Sequence, residues 1–375
     1  MASHNTESKA KKKKYKKMTL SQKIIAGVAI ACAAFMVGAM GYHALMNWKP
    51  LIGNEGTVEN KLEFSNVDSE YDDDDLDIDQ IVENQVNILC LGMDEEEGHT
   101  DVMMLVSLDV KEQRIKILQI PRDSYVGVGS TGKINAAYLE GNQELSPINR
   151  VVEIINDQFY LPVDHYVMIG CQDLVNIIDA IGGIQIDVPE RIVYEADKII
   201  EAGPQTLNGQ QAEWFVRFRR EYVEGDTGRM KVQRLFLAAC MEKAKNMGIK
   251  EIVNVLPTVM KSVRTDLSVN DITELANFCL GVDLAQTKVF MIPGEGYMYG
   301  DQAVWSIHRD STADMLNKYF RPYQREVPAI IMPIEELVNT GEWYENTEDD
   351  FQSLINGATP GQKKEEITET TETTQ

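Results

Sequence analysis

The chain has 375 residues, enough for one large domain or two ordinary ones. It carries a formal net charge of -23, from 36 Lys+Arg against 59 Asp+Glu. A net acidic body lacks the broad basic surface that phosphate backbones demand, so nucleic acid is excluded as a partner. Five cysteines (Cys32, Cys90, Cys171, Cys240 and Cys279) stand far apart with no CxxC pair, and they read as buried free thiols rather than a metal site or a disulfide framework.

Residues 1–23 hold eight Lys and one Glu and form a basic tail. From Ile24 to Met46 no residue is formally charged, and about 20 apolar residues suffice to cross a bilayer. A transmembrane helix is therefore predicted over residues 24–48. A cleaved signal peptide and lipoprotein processing at Ala29-Ile30-Ala31-Cys32 are the alternatives, and the length of the apolar run favours an uncleaved anchor. The lysines place the N-terminus in the cytoplasm and everything after residue 50 outside. Residues 49–84 read as an acidic extracytoplasmic linker, with Asp72–Asp75 repelling one another. The folded body is predicted over residues 85–332. Residues 333–375 read as an acidic, partly disordered tail that turns to Thr/Glu low complexity after Gly357.

Within the body, Val86–Leu91, Val102–Leu108 and Arg114–Ile120 read as three strands. Ser146-Pro147 opens a helix that carries Ile148, Val151, Val152, Ile155 and Phe159 on one face. A strand over His165–Ile169 precedes a helix over Asp173–Ile181, which stops at Gly182-Gly183; Ile184–Val188 is the next strand. Asn208-Gly209 introduces a helix expected to end near Phe215. A long helix is predicted from about Arg229 to Met247. Further helices are predicted over Glu251–Val263, interrupted at Pro257, and over Asn270–Leu280. Val289–Ile292 reads as a late strand and Thr312–Tyr319 as a closing helix. Strands and helices interleave, so the class is α/β with helices covering a central sheet.

The chemistry-bearing residues gather at the predicted element ends. Asp94 follows the first strand and Asp101 immediately precedes the second, where two carboxylates can face one site and hold a hard cation. The plainer reading makes them a turn cap and a strand start. Arg122 follows the third strand, at the rim where ligands bind in open α/β sheets, and is alternatively a partner of Asp123. Gly127 to Lys133 matches GxxxxGK, but Ile134 stands where the phosphate loop needs Ser or Thr, so a flexible loop presenting Lys133 is the reading adopted.

Arg217, Arg219, Arg220 and Arg229 crowd together in an acidic protein. A guanidinium fork matches phosphate oxygens, so a phosphate or pyrophosphate site competes with a solvated face paired to Glu221 and Glu224. In an extended segment Arg217 and Arg219 share a face, and Arg229 and Gln233 lie one helical turn apart. The five histidines show no metal-ligand spacing, and neither a GxSxG elbow nor a catalytic Cys–His signature is present.

An ordered set of segments resembles the LytR-CpsA-Psr family of Gram-positive cell-envelope proteins. They are Asn87–Asp94, Thr100–Val106, Ile120–Val126, Lys133–Tyr138, Ile181–Val188, Ala202–Gly209, Val216–Arg219 and Gly225–Arg229 with Gln233. The resemblance spans about 85–240 and fits a single N-terminal anchor. It implies a three-layer α/β/α body with a central mixed sheet and an apolar tunnel for a polyprenyl chain. It also implies a phosphotransferase that moves an anionic glycopolymer of the wall teichoic acid or capsular type from undecaprenyl pyrophosphate to peptidoglycan, at the outer face of the cell membrane.

By that resemblance Asp94 and Asp101 would bind Mg²⁺. Arg122, Lys133, Arg217, Arg219, Arg229 and Gln233 would contact the pyrophosphate, with Arg122, Arg217 and Arg219 also catalytic. Asp226 is the candidate base. Two positions depart from the family pattern: His99 and Val232 stand where basic residues are usual, with Lys231 and Arg234 the nearby cations that could replace them. The alternatives are a non-catalytic polyprenyl-pyrophosphate or glycopolymer binding protein with a regulatory role, and plain pyrophosphate hydrolysis at the same site.

Overall fold

The computed structural model describes residues 85–94, 98–141, 145–218, 226–247, 249–267, 278, 282–323, 325–341 and 348–356. The predicted anchor, the linker and most of the Asn270–Leu280 helix lie outside these residues. No helix among the described residues is long and apolar enough to cross a membrane.

The chain opens with three antiparallel strands, β1 (Gln85–Asp94), β2 (His99–Asp109) and β3 (Arg114–Gln119). Next come the hairpin β4 (Tyr125–Val128) and β5 (Gly132–Lys133) and a 3-10 helix, Ile134–Glu140. Helix α1 (Pro147–Phe159) begins where the Ser146 Oγ accepts from the Asn149 N–H at 3.4 Å and ends on Tyr160 in the left-handed region. Strand β6 (His165–Gly170) then runs parallel to β1. Helix α2 (Cys171–Ala180) stops at Gly182 and Gly183, both at positive φ (77° and 86°), where a side chain would be strained.

Strands β7 (Ile184–Val188), β8 (Ile192–Glu195), β9 (Lys198–Ile200) and β10 (Gly203–Leu207) form two small pairs, β7 with β10 and β8 with β9. Helix α3 (Gly209–Arg217) starts in a capping box: the Asn208 side chain accepts from the Gln211 N–H, and the Gln211 side chain accepts from the Asn208 N–H. Helices α4 (Asp226–Asn246) and α5 (Ile249–Lys261) follow. Contrary to expectation α5 is not interrupted at Pro257. That residue lies on the exposed side, where water can take up the carbonyl that the missing N–H releases.

The chain closes through β11 (Arg264–Thr265), β12 (Lys288–Met291), the hairpin β13 (Gly294–Tyr299) and β14 (Gln302–Ile307), and helix α6 (Arg309–Tyr319). Last are β15 (Glu348–Asp350) and the single-turn helix α7 (Phe351–Ile355).

Among the described residues, seven strands form the central sheet in the order β11-β6-β1-β2-β3-β12-β15. Pairings β1–β6 and β3–β12 are parallel and the rest antiparallel, so the sheet is mixed. Alternation along each strand sends side chains to two faces. Leu89, Leu91, Met103, Leu105 and Leu118 pack with α1 and α6 on one face. Ile88, Met104, Ile115 and Ile117 pack with Ala238 of α4 and Phe351 of α7 on the other. A further cluster joins α2, α3 and α4 to the small strands β7, β8, β9 and β10.

The body extends past Met332, a correction to the predicted boundary. Phe351 (0% exposed) and Leu354 (2%) are core residues, and β15 is the edge strand beside β12. Between them and α6, residues 333–341 are strapped down. Ser306 Oγ accepts from the N–H groups of Leu337 (3.0 Å) and Val338 (2.9 Å) and donates to the Val338 carbonyl (2.8 Å). Glu295 accepts from Thr340 N (2.6 Å) and Oγ1 (2.9 Å). Acidic composition had masked a segment that buries Ile334, Phe351 and Leu354.

Candidate functional site

The site begins with an irregularity in the β1–β2 ladder. Gly92 pairs with Val102, but Met93 pairs with Thr100, so Asp101 is the extra residue of a β-bulge. Strict alternation would turn Asp101 away from Val102, yet both line one cavity. A Cβ on Gly92 would lie 2.9 Å from the Val102 Cβ, so glycine permits the close approach at the bulge. Asp94, 8% exposed, sits opposite His99 at the same end of the pair.

Each carboxylate meets an arginine. Arg217 Nη2 lies 3.0 Å from Asp94 Oδ2, and Arg217 Nη1 lies 2.6 Å from Glu213 Oε1, one turn back on α3. Burial works against the Arg217 charge, but the Glu213 hydrogen bond and neighbouring groups outweigh it and raise its pKa. Arg122 Nη1 lies 2.5 Å from Asp101 Oδ1, and its Nε lies 3.8 Å from Asp123 Oδ2. Lys133 Nζ reaches the other Asp123 oxygen at 2.9 Å. Lys133 therefore sits in an ordered hairpin strand, not the flexible loop expected from its glycines.

On α4, Arg229 (3% exposed) and Gln233 (6%) are buried. Gln233 Nε2 donates to the Val216 carbonyl at 3.3 Å, and Gln119 Nε2 donates to Gln233 Oε1 at 3.2 Å. These bonds tie α4 to the end of α3 and to β3.

Asp101, Arg217, Arg229 and Gln233 stand together on a cavity of about 420 Å³. The remainder of its wall is almost wholly apolar, supplied by Val102 and Met104 of the sheet, Leu174 and Ile178 of α2, and Phe236 and Leu237 of α4. Charged groups gathered on an apolar cavity suit an amphiphile with an anionic head. A second cavity, of about 460 Å³, shares Asp94 and Arg217 and is lined by Tyr194, Lys198, Glu213 and Trp214. Cys171 borders both cavities, and burial pushes its thiol up to about 11, so it stays protonated at neutral pH and is no nucleophile.

Asp94 and Asp101 offer oxygen ligands from neighbouring strand ends. They are two, and no group of three or more His, Cys, Asp or Glu placed to hold a metal gathers among the described residues. Two carboxylates completed by substrate phosphate oxygens and water are a donor set that Mg²⁺ takes, and these residues fit it.

The structure thus brings together Asp94, Asp101, Arg122, Arg217, Arg229 and Gln233, with Lys133 attached through Asp123. Arg219 lies outside the described residues. Asp226 is the first residue of α4, and its side chain lies outside them too. Three expectations are corrected. Helix α3 continues two residues past Phe215, so Arg217 is helical, not extended, because its ion pair with Glu213 closes a further turn. Arg234 cannot replace a missing phosphate contact: it is 0% exposed, and its Nη1 is bound to Asp349 Oδ2 at 2.5 Å. Val232 is a core residue of the α2–α3–α4 cluster, so a cation there would have had to enter apolar packing.

Sequence reasoning missed Glu213 and Gln119, and named Asp123 only as an alternative partner of Arg122, not as the bridge to Lys133. The Glu213–Arg217 spacing of four was a visible signal for the first. Gln119 needed the fold, since its partner Gln233 lies far along the chain.

The sequence profile of the LytR_cpsA_psr family matches residues 55–321. The chain is 30% identical over 243 residues to the polyisoprenyl-teichoic acid–peptidoglycan teichoic acid transferase TagU of Bacillus mycoides, covering 62% of this chain and 77% of that protein. The crystal structure of Bacillus subtilis TagV superposes with a TM-score of 0.50 at 26% identity, over 60% of this chain and 90% of that one. Protein gbs0355 from Streptococcus agalactiae shares the fold with a TM-score of 0.55 at 23% identity, over 66% of this chain and 92% of that one. With a family match over most of its length and the same mixed α/β architecture, this chain belongs to the LytR_cpsA_psr family.

Proposed function

We propose that this chain is a transferase that moves an anionic glycopolymer from an undecaprenyl-pyrophosphate carrier to peptidoglycan. The observation that carries the reading is the pair of ion pairs, Asp94–Arg217 and Asp101–Arg122, set where an apolar cavity meets a polar one. The family membership and the naming of TagU as a teichoic acid transferase support it.

In this reading the isoprenoid lies in the apolar cavity, the diphosphate replaces the carboxylates as partner of Arg217 and Arg122, and Arg229 also contacts it. A peptidoglycan sugar hydroxyl attacks the phosphorus that bears the glycopolymer. A new P–O bond forms to that hydroxyl oxygen, the bridging P–O bond breaks, and polyprenyl monophosphate leaves. Asp226 takes the hydroxyl proton. Arg122, Arg217 and Arg219 stabilise the charge that builds on the leaving phosphate, the largest single contribution in such reactions. Lys133 holds Asp123, which in turn steadies Arg122. Mg²⁺ bound by Asp94 and Asp101 would supply further charge neutralisation at the diphosphate.

The same reading includes a three-layer α/β/α body over residues 85–332, extended by residues 333–356, behind a transmembrane helix over 24–48 and an acidic linker over 49–84. It places the body on the outer side of a Gram-positive-type membrane.

The test is transfer of a defined lipid-linked donor to peptidoglycan fragments with Mg²⁺ present. The wild-type chain forms a phosphodiester product, and Asp226→Ala cuts turnover while leaving lipid binding largely intact. A chain that binds the polyprenyl pyrophosphate yet releases no phosphate and forms no product overturns the transferase in favour of a binding role. Free phosphate release without linkage to peptidoglycan would instead indicate hydrolysis.

A further inference from the structure

The second cavity is polar where its neighbour is apolar, and the lipid reading leaves it unused. Tyr194 of β8 and Trp214 of α3 line it with their rings nearly parallel, centroids 6.2 Å apart and planes 14° apart. Lys198, across the β8–β9 turn, places Nζ 5.7 Å and 5.9 Å from the two ring centroids and 2.7 Å from Glu195. Glu213 accepts from Gln210 Nε2 at 2.9 Å as well as from Arg217, and a carboxylate has about four acceptor sites, so capacity remains. At about 460 Å³ the cavity is in the range of small-ligand sites, ~300–1,000 Å³.

Flat aromatic faces beside hydrogen-bonding side chains fit a ligand with one apolar face and a polar rim. A lipid chain would strip water from the carboxylates and the amine and return no hydrogen bond, at a desolvation cost. A pyranose ring satisfies both halves: its C–H face lies on the aromatic pair, and its hydroxyls meet Glu213, Gln210 and Lys198. The cavity also shares Asp94 and Arg217 with the head-group site, so a sugar here is one linkage away from the diphosphate.

We propose that this cavity is a saccharide subsite, holding on Tyr194 and Trp214 a pyranose ring that flanks the reacting phosphate. The inference rests on the lipid-diphosphate reading above. The ring can come from the donor, as its first sugar, or from the acceptor, and the chemistry of recognition is the same.

Calorimetric titration of the full-length chain in detergent tests it with three probes. These are a bare polyprenyl diphosphate, the same diphosphate carrying one hexosamine, and a soluble peptidoglycan disaccharide. The variants are Trp214→Ala, Trp214→Phe and Lys198→Ala, each checked for native circular dichroism. We expect Trp214→Ala to weaken one of the two sugar probes by about tenfold or more, Trp214→Phe to retain most of that affinity, and the bare diphosphate to bind as in wild type. Lys198→Ala, a change at a half-buried side chain outside the core clusters, weakens the same probe. Loss confined to the lipid-linked sugar assigns the subsite to the donor, and loss confined to the disaccharide assigns it to the acceptor. Unchanged binding of both sugars in Trp214→Ala and Lys198→Ala overturns the subsite. Failure of the wild-type chain to bind the bare diphosphate overturns the lipid reading instead, while the disaccharide titration still decides the subsite.

Discussion

Asp349→Ala should be among the most damaging single changes outside the site, although it falls in a segment whose composition reads as a solvated tail. Asp349 is 7% exposed and its partner Arg234 is 0% exposed, with Nη1 2.5 Å from Oδ2 and Nη2 3.8 Å from the Met291 sulfur. The pair fastens edge strand β15 to α4, the helix that also presents Arg229 and Gln233. Removing the carboxylate from a buried guanidinium costs about 3–5 kcal/mol. For a body of this size each kcal/mol moves Tm by roughly 2–4 °C, so a fall of about 6–20 °C is expected. Replacing both partners with apolar side chains, Arg234→Met with Asp349→Leu, should recover most of the loss, because neither charge then needs desolvation. Urea unfolding followed by tryptophan fluorescence measures both variants. A loss below about 1 kcal/mol for Asp349→Ala, or a double variant no better than the single one, would refute the account of the pair as buried and mutually dependent.

Arg217→Lys should lower transfer about 10²- to 10³-fold, since one ammonium cannot reproduce a fork split between Asp94 and Glu213; near-wild-type kcat would remove Arg217 from the charge-stabilising set. Cys171, whose thiol burial pushes up to about 11, should alkylate far more slowly at pH 8 than a free thiol, measured by mass spectrometry with iodoacetamide. At Glu295 burial acts to raise the carboxyl pKa, but bonds from Thr340 and His308 outweigh it and hold the carboxyl below its usual value. A depressed carboxyl stabilises above its unfolded pKa of about 4.3 and loses that contribution as pH falls through the folded value. Hydrogen-exchange protection across residues 333–341, taken relative to the intrinsic exchange rate at each pH, should therefore stay constant from pH 7 to 5 and fall below about pH 4, with Glu295→Gln weakly protected throughout. Wild-type protection that does not fall below pH 4 would discard Glu295 as the fastener.

Much of the site was legible before folding because its residues sit next to strong element signals. Asp94, Asp101 and Arg122 each border a strand read from alternating apolar runs, and Gly182-Gly183 and Asn208 punctuate helices by backbone preference alone. The bulge at Asp101 was not legible, since nothing in Thr100-Asp101-Val102 announces which residue a ladder will leave unpaired. Nor were the hairpins β4–β5 and β13–β14, which are short and whose partners are chosen by packing. Arg234 illustrates the same limit: beside Gln233 in a basic stretch it reads as a phosphate contact, yet helical geometry turns it inward to an acid more than a hundred residues away.

Local chemistry determined the interleaved elements, the apolar segment before residue 50, and the set of carboxylates and guanidinium groups suited to an anionic ligand. These depend on periodicity, capping and side-chain type, which act over a few residues. The tertiary structure alone decided that Asp94 answers Arg217 and Asp101 answers Arg122, that two unlike cavities meet at Arg217, and that residues 348–356 complete the sheet. Those outcomes depend on register and burial between distant segments, where a one-residue slip or a buried partner reverses the role of a side chain.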